Sequence, residues 1–192
     1  VNGSHLTSMH SMDNYYVSKL LPLMAEADVS ATANPNINIG IQGRHDTYPK
    51  RRGMTRIPEM LTYGITCAFG QDCMMDPWYS LGQADMLDVA SMGLHVAQMT
   101  SREAMRQCFE AVTTGPAKVM HLDGYGVEVG KKADMVLLQA TDTIEAIRLR
   151  ATRIAVIKGG RVIARTAPRQ TALALPDRPT RLDPARVGPS AN

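Results

Sequence analysis

The apolar run from Ile65 to Gly70 leads directly into Gln71-Asp72-Cys73. In a parallel α/β barrel the carboxyl ends of the strands carry the active site, so a carboxylate placed there is aimed at chemistry. Asp also caps helices and turns, and spacing alone leaves Asp72 between the two roles. Cys73 is a candidate thiol, but no adjacent base or helix start in the sequence would activate it. His5 lies in Gly3-Ser4-His5-Leu6-Thr7-Ser8-Met9-His10. Its i, i+5 spacing to His10 is not the i, i+4 spacing of a helical metal pair. Trp78, the only tryptophan, follows in Asp76-Pro77-Trp78-Tyr79. A lone Trp fills a core or, on a loop at a strand end, walls a pocket for a flat heterocycle. His45, His95 and His121 read as surface or packing residues.

These positions need elements to hold them. Tyr15 to Ala25 puts Val17, Leu20, Leu21 and Met24 on one face at helical spacing, with Pro22 expected to bend or shorten the helix. Val29 to Asn34 reads as a strand closed by Asn34-Pro35. The polar stretch Asn38 to Arg56 is long enough to act as a lid or binding loop. Ile57 to Tyr63 fits a short helix with Pro58 in its first turn, and Ile65 to Gly70 a strand buried on both faces. That alternation implies a parallel sheet with crossover helices. Ala84 to Met99 predicts a helix, Thr100 or Ser101 caps the next, and Thr114 opens a short one ending near His121. Beyond it, Ala133 to Leu138 reads as a turn entering a strand. Ile154 to Ile157, the Lys158-Gly159-Gly160-Arg161 turn and Val162 to Ala164 read as a β-hairpin. From Pro168 the chain reads as an extended or frayed tail.

Composition narrows the classes. The chain has 192 residues, 44% hydrophobic and 20% charged, which suits a soluble globular core. No apolar run reaches the ~18–20 residues of a membrane span, and no basic-then-apolar leader opens the chain. Three cysteines without Cys-x-x-Cys spacing suit a reducing, cytoplasmic setting. A net charge of +3 without a basic stripe argues against nucleic acid as a partner. Gly124-Tyr125-Gly126 lacks the third Gly of a dinucleotide fingerprint. No Gly-x-Ser-x-Gly elbow occurs, nor the His-x-Glu with Pro-Cys-x-x-Cys pattern of small zinc deaminases. The 13 Met read as packing filler.

Several segments together are more specific. They are Ser4-His5-Leu6-Thr7-Ser8-Met9-His10-Ser11, Ala33-Asn34-Pro35, the block Gln42 to Gly53, Phe69-Gly70-Gln71-Asp72, and Asp76-Pro77-Trp78-Tyr79-Ser80-Leu81-Gly82. They resemble the bacterial cytosine deaminase-like members of the metal-dependent amidohydrolase superfamily, with similarity over roughly Val1 to Thr166. The resemblance implies an α/β fold, a (β/α)8 barrel beside a small β-sandwich. Such a barrel takes ~250 residues, so the chain reads as an incomplete one. Residues 1–120 correspond to its last three strands with their helices, 121–166 to strands of the β-sandwich, and 167–192 to a Pro/Arg-rich tail. A start at Val1 fits a reading that begins mid-protein.

The resemblance further implies one divalent metal ion, iron or zinc. Asp72 would be its ligand, His5 would stand beside the activated water, and Trp78 would line the substrate pocket. The implied reaction is hydrolytic release of ammonia from cytosine or a related cyclic amidine. The partner is then a small heterocyclic substrate, with no nucleic acid and no membrane, and the intact protein is expected to be a homo-oligomer. The family's other ligands, a strand-one His-x-His pair and a strand-five His, are not in this chain. Nor are its proton-shuttling Glu and substrate-reading Gln. The 192 residues alone are therefore expected to bind metal poorly, to be inactive, and to aggregate or dimerise through an open sheet edge.

Cys73 stands where the family has a second Asp. The exchange removes an acceptor and makes room, which shifts the expected substrate to a 5-substituted cytosine such as 5-methylcytosine, or to creatinine. The alternatives are a cyclic-amide hydrolase of the same superfamily and a truncated, non-catalytic paralogue.

Overall fold

A computed structural model describes residues 1–182, in two compact units that divide between Asp123 and Gly124. In the first unit β1 (Asn2–Ser4), β2 (Ser30–Ala33) and β3 (Cys67–Phe69) form a sheet in that order. Both pairings are parallel, with Gly3 opposite Ala31 and Thr32 opposite Ala68. Parallel neighbours need crossover connections. These are α1 (Asn14–Glu26) between β1 and β2, then α2 (Pro35–Ile41) and α3 (Ile57–Thr62) between β2 and β3. Three further helices follow: α4 (Met86–Val96), α5 (Arg102–Glu110) and α6 (Thr114–Val119).

Local chemistry explains most of these boundaries. The Asp13 carboxylate accepts from the Tyr15 and Tyr16 amides and starts α1. That helix continues through Pro22 to Glu26, because Pro22 lies on its exposed face and the buried contacts come from Val17 and Leu21. Asp85 caps α4 and Ser101 caps α5. Asn34-Pro35 closes β2 as expected, and it also opens a helix that was not expected. Pro35 takes the first helical position, where its missing N–H costs no bond. The long loop accordingly begins only after Ile41.

β3 is buried at all three positions, as expected of a strand covered on both faces. Phe69 sits against α4 so closely that a Cβ on Gly93 would lie 2.5 Å from its ring. Ile57, Met60, Val89 and Cys108 are fully buried as well.

The second unit holds β4 (Met135–Leu138), β5 (Arg153–Lys158) and β6 (Arg161–Arg165), antiparallel in that order. The expected Lys158–Arg161 turn forms. Its geometry is secured by the Asp134 carboxylate, which accepts from Lys158 Nζ and from the Gly159 amide (2.7 Å). A helix not expected from the sequence, α7 (Thr143–Leu149), joins β4 to β5. Its signal is a variant of the capping box: Asp142 accepts from the Glu145 amide (2.8 Å) while Glu145 Oε2 accepts from the Thr141 amide (3.0 Å). In the region expected to be an extended tail, β7 (Thr171–Ala172) and β8 (Arg181–Leu182) make a two-residue ladder. Residues 183–192 of the tail lie outside the described residues. No helix among the described residues is long and apolar enough to cross a membrane.

Placing a methyl group at Gly93 forces Phe69 out of its position. Gly93→Ala is expected to lower the stability of the intact protein by about 1–3 kcal/mol, read as a lower denaturant midpoint at unchanged slope. A midpoint equal to that of the parent protein would contradict this packing.

Candidate functional site

The three parallel strands end side by side, and the residues just past their carboxyl ends converge. The His5 amide donates to Thr32 O (2.8 Å) and the Gly70 amide to Ala33 O (2.8 Å). Beyond those bonds the chain turns sharply: His5, Leu6 and Asp72 have φ of 64°, 49° and 60°. Left-handed conformations in residues other than Gly cost about 1–3 kcal/mol each and collect at functional sites. His and Asp tolerate them better than Leu does.

The turns bring His5 Nε2 to 3.1 Å from Asp72 Oδ2, with both side chains between one third and one half exposed. His5 and Asp72, singled out in the sequence for different reasons, therefore share one place. Two further residues join them that the sequence reading did not select. His5 Nδ1 lies 3.0 Å from Asn38 Oδ1 and 3.3 Å from Asn34 Nδ2. Asn34 and Asn38 are 4% and 3% exposed. They sit four residues apart at the start of α2, so both carboxamides project from the same face. The readable signal was that i, i+4 spacing across Pro35 at a helix start. A Cβ on Gly70 would lie 2.4 Å from Asn34 Oδ1, so only glycine lets the end of β3 approach that carboxamide.

Cys73 is half-buried beside this group. Burial, a hydrogen bond to Asp76 and the Asp72 and Asp76 charges push its thiol up to about 11. The Asp76 carboxyl is held below its ordinary value by the Tyr79 amide first, then by the Cys73 thiol and other donors. Its Oδ1 accepts from the Trp78 and Tyr79 amides (2.9 and 3.0 Å) and shapes the turn that carries Trp78. Trp78 is 72% exposed, which excludes a core-filling role within this unit. Met74, Met75 and Leu81 of the same segment are also exposed. His95 Nδ1 donates to Ser91 O (2.6 Å), a local helix contact, and His45 and His121 are exposed. None of these three is among the residues around His5 and Asp72. Among the described residues no group of three or more His, Cys, Asp or Glu could hold a metal ion.

One part-buried guanidinium and one ion pair organise the backbone around the site. The guanidinium of Arg56 donates to Met9 O (2.9 Å), Met12 O (2.5 Å) and Asn14 Oδ1 (2.8 Å), tying down the segment that follows His5. In the loop after α2, Arg51 grips Asp46 with two side-chain bonds (2.8 and 2.9 Å), and Lys50 Nζ donates to Asp46 O. Burial, then the charges of Arg52, Arg51 and Arg56, hold His10 below the usual histidine value.

The family model described as "Amidohydrolase family" matches residues 1–164. Pterin deaminase of Rhizobium rhizogenes (strain K84) is 28% identical over 170 residues, 88% of this chain and 38% of that protein. N-isopropylammelide isopropyl amidohydrolase of Pseudomonas sp. (strain ADP) is 32% identical over 108 residues, 56% of this chain and 27% of its own length. Among solved structures, 5-methylcytosine deaminase from Klebsiella pneumoniae liganded with 5-fluorocytosine is 36% identical with a TM-score of 0.85. That match covers 88% of this chain and 41% of the other. The chain thus spans about two fifths of the length of these deaminases.

The Asp46–Arg51 pair gives a pH expectation with a definite sign. Asp46 is lowered to about 2, first by the Arg51 side chain and then by its amide. A depressed carboxyl contributes stability that is present above its unfolded value near 3.8 and is lost as pH falls through about 2. A carboxyl NMR titration should place the Asp46 midpoint near 2, and Arg51→Gln should raise it toward the ordinary value while the backbone amide of residue 51 keeps it somewhat below. An ordinary midpoint in the parent protein would contradict the pairing.

Proposed function

The chain belongs to the amidohydrolase family, and from that membership we propose that the intact protein is a metal-dependent hydrolytic deaminase acting on a 5-substituted cytosine such as 5-methylcytosine. The observation that carries the reading is the His5–Asp72 contact at the ends of two strands that flank β2, with Cys73 next to it. In this reading β1 to β3 are the last three strands of a (β/α)8 barrel, and β4 to β6 belong to a small β-sandwich. The parallel order of β1, β2 and β3, with helices between them, supports the barrel. A barrel keeps its chemistry at the strand ends where these residues stand.

Asp72 is one-third exposed beside His5 and can offer a carboxylate to a divalent ion, iron or zinc. A catalytic zinc site takes about three protein ligands, so these residues fit a share of the donor set and the remainder of the intact protein would supply the rest. Such an ion provides a water acidic enough to be used near neutral pH. Within this chain, Asp72 Oδ2 and His5 Nε2 stand close enough to pass one proton between them. That proton leaves with the nitrogen released as ammonia.

Cys73 and Trp78 are read as the substrate-facing residues. A thiol is smaller than a carboxylate and needs far less hydration, so it tolerates a methyl group against it. Trp78 offers a flat apolar face on which a pyrimidine ring can stack. The match to an enzyme described as a 5-methylcytosine deaminase supports the choice of substrate. A pterin is the second reading, favoured by the curated relative that bears that name.

Ammonia release from cytosine, 5-methylcytosine, creatinine and pterin by the intact protein decides among these. One methyl group in a pocket is worth about 10–200-fold in kcat/KM, and 5-methylcytosine is expected to exceed cytosine within that range. Cys73→Asp should reverse the preference, and Asp72→Asn should abolish turnover with either substrate. The 192 residues on their own should release no ammonia. A cytosine preference in the parent protein would contradict the role of Cys73, and ring opening without ammonia would make it a cyclic-amide hydrolase.

A further inference from the structure

We propose that Asp76 is a positioning residue that closes residues 73–82 into one rigid loop and so holds Cys73 and Trp78 at a fixed spacing. Its Oδ1 accepts from the Trp78 amide (2.9 Å) and the Tyr79 amide (3.0 Å). The Met74 amide and the Cys73 thiol donate to the same carboxyl. One side chain therefore ties the beginning of the loop to the turn that carries the indole. Bonds to an ionised carboxylate are shorter and stronger than bonds between neutral groups.

The two ends of the loop meet as well. Gly82 is buried, and a Cβ there would lie 2.2 Å from Cys73 O and 2.9 Å from Met74 Cα, so only glycine lets the chain close at this point. Gln71 Nε2 donates to the same Cys73 oxygen (3.3 Å). On the far side the Tyr79 ring packs on α2, 3.3 Å from where a Cβ on Gly40 would stand. A short surface loop whose ends touch and whose own side chains pack it is an Ω-loop, a form that often serves function. Met75 is a further sign of rigidity, since it keeps a φ of 53° although its side chain is exposed. Left-handed backbone outside glycine persists only where the surrounding structure fixes it.

The tip of this loop is apolar: Met75, Trp78 and Leu81 are all exposed. On a mobile loop such side chains would fold back and cover one another. The bonds to Asp76 hold the backbone of Trp78 in place instead. The indole is then ordered before a ligand arrives, which favours a flat ring that stacks on it. Cys73 is carried on the same frame, so the gap between thiol and indole does not adjust to what enters it. A gap of fixed width discriminates by size, as a preference between a methyl group and a hydrogen requires. This kinetic consequence rests on the deaminase reading, and the rigid loop itself does not.

The test uses the intact protein. Hydrogen exchange is read at the Trp78 and Tyr79 amides, and kcat and KM are measured with 5-methylcytosine and cytosine. The parent protein should exchange slowly at both amides in spite of the exposure of Trp78. Asp76→Ala should speed that exchange on the order of tenfold. It should also bring the 5-methylcytosine-to-cytosine ratio of kcat/KM below the ~10-fold that a methyl group commands, chiefly by raising KM for 5-methylcytosine. Asp76→Asn, which keeps an Oδ1 acceptor, should recover most of both. Gly82→Ala displaces Cys73 and spares the turn at Trp78, so it should lower the ratio without speeding exchange. A mere loss of folded protein scales both substrates alike and leaves the ratio untouched. Fast exchange in the parent protein, or an unchanged ratio in a folded Asp76→Ala or Gly82→Ala, would overturn the proposal. If Asp76→Ala does not fold, the parent exchange and Gly82→Ala decide. A protein that deaminates neither compound overturns the deaminase reading for them, and exchange alone then judges the loop; an active deaminase with fast exchange at Trp78 does the reverse.

Discussion

β2 accepts a backbone hydrogen bond from the residue that follows each of its neighbours: His5 N to Thr32 O and Gly70 N to Ala33 O, both 2.8 Å. Those two bonds fix where the neighbouring strands stop, and everything at the site follows from that stop. Because both pairings are parallel, all three carboxyl ends point the same way. His5, the Asn34–Asn38 pair and Asp72 then meet, although they are spread over nearly seventy residues of sequence. The left-handed turns at His5 and Asp72 are the local cost of aiming two side chains back across the sheet end. Buried neighbours hold that strained geometry: Gly70 against Asn34, and Phe69 against α4.

Around that fixed point, structure and chemistry are divided between different residues. Arg56 and the Asp46–Arg51 pair use their charge on backbone oxygens and on each other, so the basic block after α2 is largely consumed in holding its own shape. The groups left facing outward at the strand ends are few: an imidazole, a carboxylate, a thiol and an indole. In the proposed deaminase reading, that set would face a small, flat, weakly charged heterocycle.

Much of this was legible in the sequence where one physical signal dominated. The apolar run before Asp72 announced a buried strand, and the Lys158-Gly159-Gly160-Arg161 turn announced a hairpin; both form. Ser101 capped its helix as its residue type predicts. His5 was different, since one histidine in a polar segment carries no spacing signal; only the surrounding motif pointed to it. Where two principles competed, the reading failed. Asn34-Pro35 ends the strand as expected and also begins a helix, whose residues Pro35, Asn36, Ile37 and Asn38 are buried, so the stretch expected to be loop from Asn38 starts as helix. The two asparagines were hidden for that reason, because Asn34 read as the end of a strand and Asn38 as the start of a loop, where a polar residue needs no partner. The helix after Asp142 was missed although Asp142 and Glu145 carried its capping signature.

The central claim is that the ends of these three strands form one side of a metal-assisted deaminase centre. An anomalous-scattering map of crystals of the intact protein grown with a divalent ion tests it most directly. The account predicts an ion at ligating distance from the Asp72 carboxylate, with the His5 imidazole beside it and Cys73 and Trp78 facing the adjoining cavity. An ion bound elsewhere, with Asp72 still engaged only with His5, would contradict it.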